Sequence, residues 1–143
     1  MSERPPISPF DEMIGTEWLE TSEETAAARF EVREHHKQPF GLVHGGLYAA
    51  LAESICSMAT GVAVWDEGKV ALGQVNETSM LRPVSEGHVN ARAKRRHAGR
   101  TTWIWEVELT DDQGRLCALS RITMAVRPRP DDFGPSEEAG EAN

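Results

Sequence analysis

The sequence predicts an α+β fold in which one long helix is wrapped by an antiparallel β-sheet. Three observations predict it. Residues 45–65 form a proline-free run rich in Ala, Leu and Met, long enough for about five helical turns. Five segments, 25–34, 69–81, 88–97, 101–110 and 115–127, alternate apolar and polar residues at the period of a half-buried strand. Between His44 and Asp66 the only charged residue is Glu53, so the helix lacks the charged outer face that a surface helix carries.

Each element can be justified in turn. In the first strand Ala26, Ala28, Phe30 and Val32 alternate with Ala27, Arg29, Glu31 and Arg33. A loop, HHKQPFGLV, follows and is broken by Pro39 and Gly41. On a helical wheel Leu47, Leu51, Ile55, Met58 and Val62 make one apolar face, and Ala49, Ala50, Glu53, Ser57 and Thr60 the other. One face meets the chain's own sheet; the small-residue face is expected against a second subunit and a ligand. The last four strands read as a meander, separated by turn chemistry at Pro83–Gly87, His97–Gly99 and Asp111–Gly114, of which DDQG is the clearest hairpin signal. The working domain spans 10–128. Residues 1–9, rich in proline, and the acidic stretch 129–143 read as loosely ordered ends.

Composition excludes several function classes. A formal charge of −8 argues against a general nucleic-acid binder, which needs concentrated positive charge. No uninterrupted apolar run approaches the roughly 20 residues of a bilayer span, and the N-terminus lacks the basic-then-apolar order of an export signal. No membrane association and a cytoplasmic location are therefore expected. Cys56 and Cys117 lie far apart without CxxC spacing, so neither a metal site nor a disulfide framework is indicated. Arg82, Arg92, Lys94, Arg95, Arg96 and Arg100 crowd into a short stretch; they fit either a small polyanion site or a solvated strand face.

Glu53 is the first candidate for chemistry. A carboxylate on a covered face must be paired, reach the interface rim, or become a general base or nucleophile. The second candidate is QPFGLVHGG, residues 38–46. Two glycines at a helix start, Gly45 and Gly46, let a substrate approach the backbone, where free N–H groups stabilise an oxyanion. Taken singly, His44 fits a cap or packing role and Gln38 a surface one.

The run from Gln38 to Ser54, together with LRPV (Leu81 to Val84), AGRTTWIWEVEL (Ala98 to Leu109) and LCALSRITMAV (Leu116 to Val126), resembles hotdog-fold acyl-CoA thioesterases of the 4-hydroxybenzoyl-CoA and PaaI-like type. The match is to the branch carrying Glu, not Asp, nine positions after the histidine. The resemblance implies a hotdog fold and hydrolysis of a small acyl- or aroyl-CoA thioester, or a carrier-protein thioester, to free acid and CoA. It implies that Gln38 and the Gly45 N–H engage the thioester carbonyl and that His44 shapes this site. Glu53, from a neighbouring subunit, would act as nucleophile or general base, assisted by Ser57 one turn on. Gly46, Arg82, Arg100, Thr101 and Thr102 match positions along the CoA path. Met80 stands where near relatives often carry histidine, which implies a more apolar acyl lining. No metal or organic cofactor is called for, coenzyme A being part of the substrate. A homodimer is the minimum assembly and a tetramer the one the resemblance favours.

Two other classes compete. A hotdog dehydratase needs its catalytic histidine in a different arrangement from this HGG…E spacing. A non-catalytic acyl-CoA binding or sensing protein keeps the glycines and arginines without needing Glu53 or Gln38; release of free CoA with time separates it from an esterase.

Overall fold

The computed structural model describes residues 7–133. The chain order is α1 (Pro9–Ile14), β1 (Glu17–Thr21), β2 (Thr25–Glu31), a 3-10 turn at Glu34–His36, α2 (Gly45–Trp65), β3 (Lys69–Met80), β4 (His88–Ala98), β5 (Thr102–Thr110) and β6 (Leu116–Pro128). Six strands form one sheet in the order β1-β2-β4-β5-β6-β3, every neighbouring pair antiparallel. The sheet curls around α2, as the sequence predicts.

The predicted four-strand meander needs correction. Strands β4, β5 and β6 do follow one another, but β3 pairs along β6 at the far edge, from Lys69 opposite Pro128 to Met80 opposite Ala118, while β4 takes β2 as its other neighbour. The reason is visible in the residues. Beyond Val70, β3 carries Gly73, Gln74, Asn76, Glu77 and Ser79 with no buried alternation, which suits an edge; β5 alternates buried Trp103, Trp105, Val107 and Leu109 with outward residues, which suits the centre. The connection from β3 to β4 then crosses the end of the sheet, held by buried Val84, whose carbonyl accepts the Val43 N–H at 2.8 Å.

The helix wheel also shifts. The buried flank of α2 is Tyr48, Leu51, Ala52, Ile55, Cys56, Ala59, Thr60 and Val64, while Leu47, Met58 and Val62 are only half-buried. Small residues let the sheet approach closely, and Thr60, expected on the outer face, is in the core, accepting the Trp105 indole N–H at 2.9 Å. By length and mean hydropathy (1.5) α2 would suffice to cross a bilayer, contrary to the sequence reading, but half of it is buried within the wrapped sheet.

Two elements escaped the pattern reading because they are short. Helix α1 starts at Pro9 with Ser8 as its cap, and Gly15 in the left-handed region (φ 80°) ends it. Strand β1 pairs with β2 at the opposite sheet edge from β3. The loosely ordered ends expected at 1–9 and 129–143 fall mostly outside the described residues. Within them, the Arg129 N–H donates to Gly68 O at 2.8 Å and its guanidinium stacks on Trp65.

Helix α1 is tied down by histidine. His36 is 2% exposed, its Nε2 lies 2.8 Å from Ile14 O, and its Nδ1 accepts the Arg33 N–H at 2.9 Å. Those two bonds require the neutral ring protonated on Nε2. Burial first, then the neighbouring His35 and Arg33 charges, holds the pKa of His36 below its ordinary value despite the Ile14 bond. The unfolded chain therefore binds the proton more readily. Stability is full above about pH 6.5 and is lost as pH falls through the lowered folded value. The urea midpoint should fall between about pH 8 and about pH 5, and fall less in a His36→Gln chain.

Candidate active site

The loop before α2 is a tight structure. Lys37 bridges Val43, the Gln38 N–H donates to Leu42 O at 2.8 Å, the Gly41 N–H donates to Gln38 O at 3.0 Å, and Gly41 takes φ 82°, which favours glycine. The His44 N–H donates to His36 O at 2.9 Å, fixing where α2 begins. Gln38 is half-buried, and its side-chain oxygen accepts the Phe40 N–H, so the amide N–H pair is what the carboxamide has to offer a ligand.

His44 is the N-cap of α2: its Nδ1 accepts the Gly46 N–H at 2.9 Å. That bond occupies Gly46 and leaves the Gly45 N–H, in the first helical turn, without an intrahelical acceptor. Met80 packs directly over Gly45, since a Cβ there would stand 3.2 Å from both Cγ and Cε of the methionine. The structure thus gathers Gln38, His44, Gly45, Gly46 and Met80 at one end of α2.

Glu53 lies two turns further along, about 12 Å from Gly45 at 1.5 Å per residue. In the single chain it is exposed, not hidden as the sequence reading expects. Its carboxylate leans on the edge strand β3: a Cβ built on Gly73 would stand 2.9 Å from the Glu53 Cδ, and Asn76 donates its amide to Glu53 Oε1 at 3.3 Å and to Ala49 O at 2.9 Å. Asn76 is in turn held by the Thr78 hydroxyl at 2.7 Å, which meets Ser120 at 2.8 Å. Cys56, behind Glu53, has its thiol pKa pushed far up, by burial first and by the Glu53 charge second, so it is an inert core residue.

Glu53, Ser54 and Ser57 line one side of a groove of about 280 Å³ that runs along α2. Its remaining walls include Trp18 from β1, Trp65, Val70, Phe133 and, from α1, Asp11.

The basic cluster does not form one site. Arg92 pairs with Glu20 at 3.4 Å and Arg96 with Glu106 at 3.7 Å, while Arg95 donates to Glu23 O and stacks on Trp103. Arg82, exposed just after β3, is at the Gly45 end of the sheet, whereas Arg100 and Thr101 occupy the β4–β5 turn beside the C-terminal end of α2. The length of β5, about 30 Å at 3.3 Å per residue, separates them. Thr102 begins β5 at that same distant end.

Sequence reasoning missed Gly73, Asn76 and the α1 residues. Gly73 did carry a signal, since an isolated glycine in a strand marks a close approach. Gly73→Ala drives a methyl into the Glu53 carboxylate and should displace it; we expect kcat for the reaction proposed below to fall by about 10²-fold with an unchanged circular-dichroism spectrum.

Comparison with known proteins decides the family. The profile described as the thioesterase superfamily matches residues 40–118. The chain belongs to the thioesterase superfamily. It is 38% identical over 115 residues to the proofreading thioesterase EntH of Cronobacter turicensis, covering 80% of this chain and 83% of that one. It is 39% identical over 104 residues to the 1,4-dihydroxy-2-naphthoyl-CoA hydrolase of Escherichia coli K12, covering 73% and 76%. The crystal structure of a mutant thioesterase PA1618 from Pseudomonas aeruginosa superposes with a TM-score of 0.79 at 34% identity, over 83% of this chain and 86% of that chain. The architecture is the hotdog thioesterase fold, and this superfamily member is a thioester hydrolase.

Proposed function

We propose that the chain hydrolyses small acyl- or aroyl-CoA thioesters in a site built by two copies of itself. One observation carries the reading: a free backbone donor, Gly45, and a tethered carboxylate, Glu53, sit on one helix too far apart to serve one carbonyl, yet both flank β3. That strand is the exposed edge of the sheet, with Leu72, Val75 and Met80 about half exposed. Antiparallel pairing of β3 with its copy about a two-fold near Asn76–Glu77 places Gly73 of one chain opposite Met80 of the other. Glu53, which leans on Gly73, then faces Gly45 of the second copy, which lies under Met80. A dimer is thus the minimum assembly; a tetramer would pair two such dimers.

In this arrangement the thioester carbonyl oxygen accepts hydrogen bonds from the Gly45 N–H and the Gln38 amide, with the positive end of α2 behind them. His44 acts by occupying the Gly46 N–H and fixing the helix tip. The Glu53 carboxylate of the other chain either attacks the carbonyl carbon, expelling CoA thiolate and leaving an anhydride that water opens, or removes a proton from the water that attacks. Ser57 stands one turn from Glu53 and can hydrogen-bond that water. The glutamate at this spacing supports the Glu-bearing branch of the family. The relative named as a 1,4-dihydroxy-2-naphthoyl-CoA hydrolase supports CoA thioesters as the substrate class, and the one named as a proofreading thioesterase supports thioester hydrolysis.

Because Arg82 and Arg100 lie at opposite ends of one chain, they would meet a single CoA only from different copies, Arg82 beside Gly45 and Arg100, with Thr101 and Thr102, from a neighbour. The direct test is thiol release from a panel of acyl-CoA esters by the purified protein. Time-dependent CoA release supports the reading, and tight binding without release overturns it.

A further inference from the structure

The hydrogen bonds around Asn76 run in one direction, towards Glu53. The Asn76 carbonyl oxygen Oδ1 can only accept, so the Thr78 hydroxyl, 2.7 Å away, gives its single proton there. The proton between the Thr78 and Ser120 hydroxyls, 2.8 Å apart, then comes from Ser120, which is 6% exposed on β6. The Asn76 amide nitrogen has two protons and two acceptors, Ala49 O at 2.9 Å and Glu53 Oε1 at 3.3 Å. Turned the other way, the amide would set its oxygen against both of those acceptors. Within α2, Ala49 O is also the acceptor for the Glu53 N–H four residues on, so Asn76 grips one helical turn at its backbone and at its side chain.

Fastening β3 to α2 needs only the Ala49 bond. It does not need a second amide proton aimed at a carboxylate, nor a threonine and a buried serine holding the amide that way round. A row of donors in which each polarises the next suits an end point that carries negative charge. At that end Oε1 is held, while Oε2 takes no hydrogen bond among the described residues and lies beside Gly73, where a Cβ would stand 3.1 Å from it. We propose that Asn76, oriented by Thr78 and Ser120, is a positioning residue that aims the Glu53 carboxylate for its step in thioester hydrolysis. This rests on the hydrolase reading and adds no group that touches the substrate.

The experiment is a mutant cycle between Asn76 and Glu53. It is read by CoA release from whichever of acetyl-CoA, hexanoyl-CoA and benzoyl-CoA the unaltered protein cleaves fastest. Asn76→Ala should lower kcat about 10- to 100-fold with KM changed by less than about threefold. Asn76→Asp keeps the shape and the Thr78 bond but turns an acceptor on Glu53, and should lose at least as much. In a Glu53→Ala chain the same substitutions should cost less than about threefold, because no carboxylate is left to aim. Thr78→Val leaves Asn76 and its Ala49 bond in place and should lower kcat about 3- to 10-fold, whereas Thr78→Ser, which keeps the hydroxyl, should retain about half the activity or more. Gel filtration and melting temperatures show which variants fold and dimerise; if those at Asn76 do not, the Thr78 pair, measured with and without Glu53, decides. An equal loss in both backgrounds, a kcat within about twofold of the unaltered protein in Asn76→Asp, or Thr78→Ser no better than Thr78→Val overturns the assignment. Absence of CoA release from all three esters by the unaltered protein is a different result and overturns the hydrolase reading itself.

Discussion

Glu53→Ala should lower kcat by about 10²- to 10⁴-fold on any CoA ester the protein accepts, while its fold and oligomeric state stay unchanged. The loss is chemical because the carboxylate is the one charged group on α2, and Asp11, which also lines the groove, comes from α1 and has one carboxylate oxygen engaged by the Ser8 hydroxyl. The fold is spared because Glu53 is exposed in the single chain and its tether survives without it: Asn76 keeps its 2.9 Å bond to Ala49 O. Exposed substitutions of this kind move stability by about 0.5 kcal/mol or less. Glu53→Gln should be nearly as inactive, since an amide neither attacks nor takes a proton, and Glu53→Asp should be intermediate because its carboxylate retreats by one methylene. Steady-state kinetics with thiol detection, beside circular dichroism and gel filtration, checks all three. A kcat within tenfold of the unaltered protein in Glu53→Ala would remove Glu53 from the mechanism.

What the sequence revealed of this site divides along a physical line. Local signals survived: the proline-free run became α2, the DDQG turn closed a hairpin through Asp111, whose Oδ1 accepts the N–H groups of Gln113 and Arg115 at 2.9 Å, and the Gln38-to-Glu53 spacing fell on one loop and one helix. Whatever depended on pairing between distant segments did not. The β3 edge position follows from competition among strands for the centre of the sheet, which adjacency in the chain does not encode. Nor did nearness in sequence make the arginines neighbours, because Arg82 and Arg100 lie at opposite ends of the sheet and β4 turns Arg92 and Arg96 outward to acidic partners. Glu53 was expected to be hidden because α2 has no charged outer face; in one chain it is open, since the proposed cover is a second copy. Six-residue α1 and five-residue β1 were too short for a periodic signal, yet they bring Asp11 and Trp18 into the groove.

A mixture of two inactive variants should recover activity if the site is shared between copies. Gln38→Ala removes an amide donor from the carbonyl end and should cost about 10²- to 10³-fold, as for other oxyanion donors. Glu53→Ala removes the carboxylate. In the proposed pairing, each variant alone forms dimers in which both sites are damaged. When equal amounts exchange subunits, half the dimers are mixed, and in each mixed dimer one site carries both lesions while the other takes intact Gln38 from one chain and intact Glu53 from the other. About a quarter of all sites are then whole, and activity should rise to about a quarter of the unaltered level, far above either parent. A site contained within one chain gives no such recovery, because every chain in the mixture carries a lesion. Activity that stays at the parental level after subunit exchange, verified by mass spectrometry of the mixed dimers, would rule out the two-chain site. The result bears on β3 directly, since the copies are proposed to meet along its exposed edge, and Val75→Lys on that edge should lower both the dimer fraction and the recovered activity.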